Sequence, residues 1–166
     1  MRIYLAVPYT NIVKPNDDSQ DDDSQYGWVS NKYVQWLRGI IQELESLGHK
    51  VFCSHRDVHQ WGKSFPDLKY VCQETYNKLI EETDVLIAYL GQPQSGGVAI
   101  EIGWAISNKI PVIIAKKPKE KITLIADGLQ AISPCEIIEF ENEKQMIQKL
   151  QEKMKLLKNS HIRNHS

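Results

Sequence analysis

Val85-Leu86-Ile87-Ala88-Tyr89-Leu90, then Gly91-Gln92-Pro93-Gln94-Ser95-Gly96-Gly97, then Val98-Ala99-Ile100-Glu101-Ile102-Gly103-Trp104-Ala105, is the stretch on which the fold turns. The run Asp84–Leu90 is apolar nearly throughout, so it reads as a strand buried on both faces. Gly91–Gly97 breaks it as a turn. A helix follows to about Asn108. A strand covered on both faces needs helices above and below it, which is the condition of a parallel sheet.

The same alternation extends in both directions. Ile3–Val7 reads as a first strand, and residues 11–28 as a polar, Asp-rich loop. Ser30 is placed to cap a helix to about Leu47, on which Tyr33, Trp36, Leu37, Ile40, Ile41, Leu44 and Leu47 recur at helical spacing. Gly48 ends it. Lys50–Ser54 reads as a second strand, His55–Asp67 as a polar loop and Asp67–Thr83 as a helix. Ile110–Ala115 is a fourth strand. A basic loop with Lys116, Lys117, Lys119 and Lys121 leads to a short segment around Leu124–Leu129. Glu136–Phe140 is a fifth strand, and a last helix runs from about Asn142 to Leu157, leaving a frayed polar tail. The pattern predicts a flavodoxin-like, doubly wound five-stranded parallel sheet with helices on both faces. Ligands of such sheets bind outside the carboxyl ends of the strands, at the switch point. The loops after the first, third and fourth strands are therefore the candidates for a site.

Composition narrows the class. The 166 residues suit one domain; 42% are hydrophobic and 25% charged, ordinary for a globular chain. Twenty basic residues against 21 acidic ones give a net charge of −1, which argues against a grip on nucleic-acid backbone. No apolar run approaches the ~20 residues of a membrane span. The apolar start is too short for a signal peptide. Cys53, Cys72 and Cys135 are odd in number and lack CxxC spacing, which fits reduced thiols in the cytoplasm and gives no zinc motif.

The Gly91–Gly97 turn aims a helix N-terminus at the ligand edge of the sheet. Free N–H groups and a positive dipole make that end an anion site, with Gly96 and Gly97 permitting close approach and Ser95 adding a hydroxyl. One turn on, Glu101 stands among Ile100, Ile102, Trp104 and Ala105. A carboxylate in that company is either a dipole-complementing acid or one kept for chemistry.

These residues carry a resemblance. Ile3-Tyr4-Leu5-Ala6, Thr83-Asp84-Val85, Gln92 through Gly103 and Lys109-Ile110-Pro111-Val112-Ile113 resemble the nucleoside 2-deoxyribosyltransferase superfamily, over roughly residues 1–140. The match looks nearest to its nucleoside 5′-monophosphate N-glycosidases, the 2′-deoxynucleoside 5′-phosphate N-hydrolases and CMP hydrolases. The resemblance implies one such domain over residues 1–158 with 159–166 as a flexible tail, a homodimer, a small nucleotide or nucleoside as substrate, and no cofactor. It implies that Glu101 attacks the anomeric carbon and displaces the base, in the manner of a retaining glycosidase. It also places Tyr4 beside the nucleophile, as an orienting hydrogen-bond donor or as a packed strand aromatic. Where related transferases carry an acid, this chain has Ser95, as the monophosphate hydrolases do, which favours a phosphorylated substrate.

The chain departs from the pattern in two places. An aspartate expected eight residues before Asp84, to help protonate the leaving base, is Tyr76; Glu74 lies two residues earlier. Asp84 itself reads as a strand-entry residue. The Gly/Ser-rich loop expected after the first strand is Val7-Pro8-Tyr9-Thr10-Asn11, in which Thr10 and Asn11 suit a phosphate or sugar and Tyr9 a base. Beyond the second strand, His55, Arg56, Asp57 and Trp61 face the same edge, with chemistry suited to a base or phosphate. His55 falls where the hydrolases have a histidine, and His55 with His59 lacks a third metal ligand. The acidic run Asp17–Asp23 reads as a solvated loop. The lysines of the basic loop suit a phosphate, and Thr123 is the nearby hydroxyl that a neighbouring subunit would offer.

The expected reaction is hydrolysis of a (deoxy)ribonucleoside 5′-monophosphate to free base and sugar 5-phosphate. Base exchange by deoxyribosyl transfer, NAD hydrolysis of the TIR type and a non-catalytic nucleotide sensor are the alternatives.

Overall fold

In a computed structural model, the backbone is described for residues 1–8, 31–64 and 66–163. Five strands, β1 (Arg2–Ala6), β2 (Lys50–Phe52), β3 (Val85–Tyr89), β4 (Val112–Lys116) and β5 (Cys135–Glu139), form one sheet of order β2-β1-β3-β4-β5. Every pairing is parallel. The order is that of the flavodoxin-like sheet, with its switch point between β1 and β3. Around it lie α1 (Asn31–Ser46), α2 (Ser54–Asp57), α3 (Leu68–Glu82), α4 (Gly96–Ser107), α5 (Leu124–Gly128) and α6 (Glu143–Arg163).

The period-2 alternation of the strands sorts the core into two layers. Ile3, Leu5, Ile87 and Ile113 face α1 and α6, meeting Leu37, Ile40, Leu44, Met146 and Leu150. Tyr4, Ala6, Leu86, Ala88 and Ile114 face the other way, toward Leu79 of α3 and Val98, Ile102 and Ala105 of α4. Even-numbered β1 residues thus belong to the α3/α4 side, and Tyr4 goes there with its ring fully buried.

The elements follow the sequence reading with three differences. β2 ends at Phe52; Ser54 begins the one-turn helix α2, and a 3₁₀ turn follows at Gln60–Gly62, where a polar loop was expected. Four residues carry no readable period, and what closes the turn is the Asp57 carboxylate accepting from the Cys53 N–H at 2.8 Å. β4 starts after Pro111, which has no N–H to give a ladder. α6 runs to Arg163, six residues beyond Leu157, because Lys158-Asn159-Ser160-His161-Ile162-Arg163 contains neither glycine nor proline to stop it. Among the described residues no helix is long and apolar enough to cross a membrane.

Candidate active site

Two elements meet at the centre of the site. β1 delivers Tyr4 from the sheet, and α4 delivers Glu101 from the same side as Val98, Ile102 and Ala105, its sheet-facing residues. The Tyr4 hydroxyl donates to Glu101 Oε1 at 2.6 Å. That is the length of a hydroxyl bonded to a carboxylate, roughly 2.5–2.7 Å. Burial pushes the Glu101 carboxyl up to about 7, and the Tyr4 bond holds it from rising further. Burial first, and the Glu101 charge second, drive the Tyr4 phenol well above its ordinary range, so Tyr4 keeps its proton and acts as a donor. Tyr4 is braced from the strand side by the Phe52 ring, with centroids 5.1 Å apart.

The turn before α4 is built for close approach. Gly91 has φ +75°, and a Cβ there would stand 2.5 Å from Pro8 Cγ, so the turn after β3 packs against the Pro8 ring only because Gly91 has no side chain. Ser95 is buried and caps α4, its Oγ accepting from the Val98 N–H at 3.4 Å. The cap uses a lone pair and leaves the Ser95 O–H to donate. Gly96 and Gly97 are exposed and precede the first helical bond, Ala99 N–H to the Ser95 carbonyl at 3.1 Å. Glu101 lies six residues from Ser95, about 9 Å along the axis at the α-helical rise.

Other sequence candidates fall elsewhere. Tyr76 is 40% exposed and sets its ring edge-on to Trp104, centroids 5.2 Å apart, rather than facing Tyr4. Glu74 is half-buried, and its charge acts on Lys78 one turn on. The α3 residue turned inward between these two is Thr75, which the sequence reading passed over. Its signal was the helical spacing it shares with Leu79, the other buried residue of α3. Asp84 binds Arg2, from Oδ1 to the guanidinium and from Oδ2 to the backbone N–H, each at 2.7 Å, at the opposite end of the sheet.

The loop after β2 is committed to internal contacts. His55 is buried with Nε2 2.9 Å from the Pro8 carbonyl, to which the Tyr33 hydroxyl also donates at 3.3 Å. A carbonyl only accepts, so Nε2 carries the proton. Burial lowers His55 to about 4, which keeps the ring neutral near pH 7. Arg56 donates to Glu45 at 2.7 Å, to Asp57 at 2.8 Å and to the Val51 carbonyl. Trp61 has φ +60° and carries the Arg38 guanidinium 4.7 Å above its ring. Behind β4, Lys116 pairs with Glu139 at 2.7 Å, and Thr123 caps α5. Glu120 accepts from Tyr89 Oη at 2.6 Å and from the Lys117 N–H at 2.7 Å. The Gln92 and Gln94 side chains both donate to the Lys121 carbonyl, at 3.0 and 2.7 Å, which ties this loop to the turn before α4. Tyr9, Thr10, Asn11 and Asp17–Asp23 lie outside the described residues. No cluster of three metal-ligating His, Cys, Asp or Glu side chains occurs among the described residues.

No protein-family model matches the chain, and no curated protein matches it in sequence. Solved structures match it in fold. Clostridium botulinum CMP N-glycosidase, BcmB, is 24% identical at TM-score 0.60, over 91% of this chain and 99% of that one. BlsM is 22% identical at TM-score 0.73, over 93% and 90%. A 2-deoxyribosyltransferase from Bacillus psychrosaccharolyticus is 17% identical at TM-score 0.57, over 89% and 90%. At these identities the likeness is one of fold.

Proposed function

We propose that the chain hydrolyses the N-glycosidic bond of a (deoxy)ribonucleoside 5′-monophosphate, releasing free nucleobase and (deoxy)ribose 5-phosphate. The observation that carries this reading is the Tyr4–Glu101 pair, with the Ser95-capped N-terminus of the same helix less than two turns before Glu101. The fold shared with a CMP N-glycosidase and a 2-deoxyribosyltransferase supports it.

In this reading an ionised Glu101 oxygen attacks C1′ of the sugar. The C1′–N bond breaks, its electron pair leaves with the base, and the base takes up a proton from water. The transition state is oxocarbenium-like, and the product is a glycosyl ester of Glu101. Water then attacks C1′, loses its proton, and returns Glu101 as a carboxylate, so the net reaction consumes one water. The burial that lifts the Glu101 carboxyl to about 7 makes it a stronger base and a better nucleophile than a solvated carboxylate. Tyr4 fixes which oxygen faces the sugar and takes up the returning charge when the ester opens. Ser95, Gly96 and Gly97 hold the 5′-phosphate at the α4 N-terminus.

The test is chromatographic detection of free base from a panel of nucleoside and deoxynucleoside monophosphates, the parent nucleosides and NAD, with Glu101→Ala alongside. Release from a monophosphate, absent in Glu101→Ala, is the expected result. Transfer to an added base in place of hydrolysis makes the protein a transferase, and release from NAD alone or from nothing refutes the reading.

A further inference from the structure

Two loops meet beside the N-terminus of α4. The turn that precedes the helix is closed by the Ser95 N–H, which donates to the Leu90 carbonyl at 2.8 Å. From this turn the Gln92 and Gln94 side chains both reach the Lys121 carbonyl, at 3.0 and 2.7 Å. A carbonyl has two lone pairs, so the two amides saturate it. The loop after β4 is held from its other side by Glu120. Oε1 of Glu120 accepts from the Tyr89 hydroxyl and Oε2 from the Lys117 N–H, so the one acid between Lys117 and Ile122 is tied to the end of β3.

The cations of this loop are unequal. Lys116 is paired with Glu139. Lys117, Lys119 and Lys121 are exposed, and none of their side chains meets a carboxylate among the described residues. Lys117 has the Glu120 carboxylate on its own N–H. Lys119 lies within the turn closed by the Glu120 N–H and the Lys117 carbonyl, at 3.0 Å. Lys121 is the one of the three whose backbone is bound to the turn that carries Ser95. One glutamine side chain and one hydrogen bond separate its carbonyl from the residue before Ser95. Ser95 is itself 3% exposed, and its Oγ accepts from the Val98 N–H while its own hydrogen has no acceptor among the described residues. A buried hydroxyl with a hydrogen to give, beside free N–H groups, is completed by an anion.

We propose that Gln92 and Gln94 hold the loop after β4 against this turn, so that Lys121 is the charge partner of the substrate's 5′-phosphate and sets the preference for nucleotide over nucleoside. The proposal rests on the reading of the α4 N-terminus as the phosphate site. Charge counting calls for such a partner. A phosphate monoester carries about −1.5 to −2 near pH 7, against roughly +0.5 at a helix N-terminus. Ser95 and the backbone N–H groups give directed bonds but no full charge. Arg56 and Lys116 are committed to acids of their own, and Lys121 is not. The two glutamines are positioning residues: they touch the loop and act on the phosphate through Lys121.

The experiment is steady-state release of base from a monophosphate and from its parent nucleoside, at low and high salt. The proteins are wild type, Lys121→Met, Lys121→Arg and Lys50→Met, the last a control for net charge at the opposite edge of the sheet. Lys121→Met should raise KM for the monophosphate roughly tenfold at low salt and leave kcat and the nucleoside unchanged. The loss should shrink in high salt, which screens an exposed charge pair and not a packing defect. Lys121→Arg keeps the charge and should recover most of the affinity, and Lys50→Met should match wild type. In a Gln92→Leu/Gln94→Leu background, Lys121→Met should cost less than in wild type. An unchanged KM, equal losses for nucleotide and nucleoside, a loss indifferent to salt, the same loss in Lys50→Met, or a full Lys121 effect without the glutamines would each overturn the proposal. Calorimetric binding of ribose 5-phosphate against ribose needs no turnover and runs in parallel. If wild type binds ribose 5-phosphate but releases no base, the reaction proposed above fails, and the affinity of Lys121→Met for ribose 5-phosphate still decides the role of Lys121. If wild type binds both sugars alike, the phosphate site and Lys121 fall together.

Discussion

Replacing Glu101 by glutamine should make the protein more stable at pH 8 and leave it nearly unchanged at pH 4. Glutamine has the same shape and still accepts from Tyr4 through its amide oxygen, so the substitution removes the charge and little else. The cost of that charge follows from the position of its titration. Burial lifts the carboxyl from 4.5 to about 7, and at about 1.4 kcal/mol per tenfold this amounts to about 3 kcal/mol. The sign follows from proton binding. Between pH 4.5 and 7 the folded protein holds a proton that the unfolded chain has released, so folding stability falls as pH rises through that window. Below it Glu101 is neutral in both states and costs nothing. Above it the full penalty applies to wild type and not to Glu101→Gln. Urea unfolding at pH 4 and pH 8 measures both gaps. In heat, the pH 8 gap corresponds to roughly 6–12 °C for a chain of this size. His55 and His59, both lowered by burial, also titrate between the two states, but they do so in both proteins and cancel in the difference. A gap of equal size at the two pH values, or a wild type more stable than Glu101→Gln at pH 8, would refute the view of Glu101 as a desolvated carboxylate.

Ser95→Ala removes the α4 cap and should cost about 1 kcal/mol in urea melts. In steady-state kinetics it should raise KM for the monophosphate and leave the parent nucleoside unaffected; equal effects on both would remove Ser95 from the phosphate site. Gly91→Ala forces a Cβ against Pro8 at φ +75° and should destabilise by roughly 1–3 kcal/mol. Gly48→Ala, at φ +81° with open space around it, pays for backbone strain alone and should cost less in the same melts.

Much of the site edge was legible before any fold was known. Apolar runs the length of strands, alternating with amphipathic helices, specify a parallel sheet, and topology then places the loops after β1, β3 and β4 at one edge. Glu101 was legible as a carboxylate at odds with its apolar neighbours. Its partner Tyr4 came from resemblance, because a tyrosine in a strand reads equally as core packing. The departures were harder. Position 76 drew attention by its spacing from Asp84, yet one residue on a helix is a rotation of about 100° at 3.6 residues per turn. That rotation sends Tyr76 out to Trp104 and turns Thr75 inward with Leu79.

The cationic residues show the same divide. Arg56 and Lys116 have the right charge for a phosphate and stand in loops at the right edge. In the fold they are taken up by Glu45 and Asp57, and by Glu139. Asp57 is adjacent to Arg56, but the other partners are not local, Glu45 lying 11 residues from Arg56 and Glu139 23 from Lys116 in the chain. Local periodicity and turn chemistry were enough to place the strands, the helices and the turn that starts α4, because each depends on neighbours within a few residues. Which oxygen bonds Glu101, which face of α3 meets Tyr4 and which cations remain available are questions of contact between distant segments, and only the packing of β1, α3 and α4 around the switch point decides them.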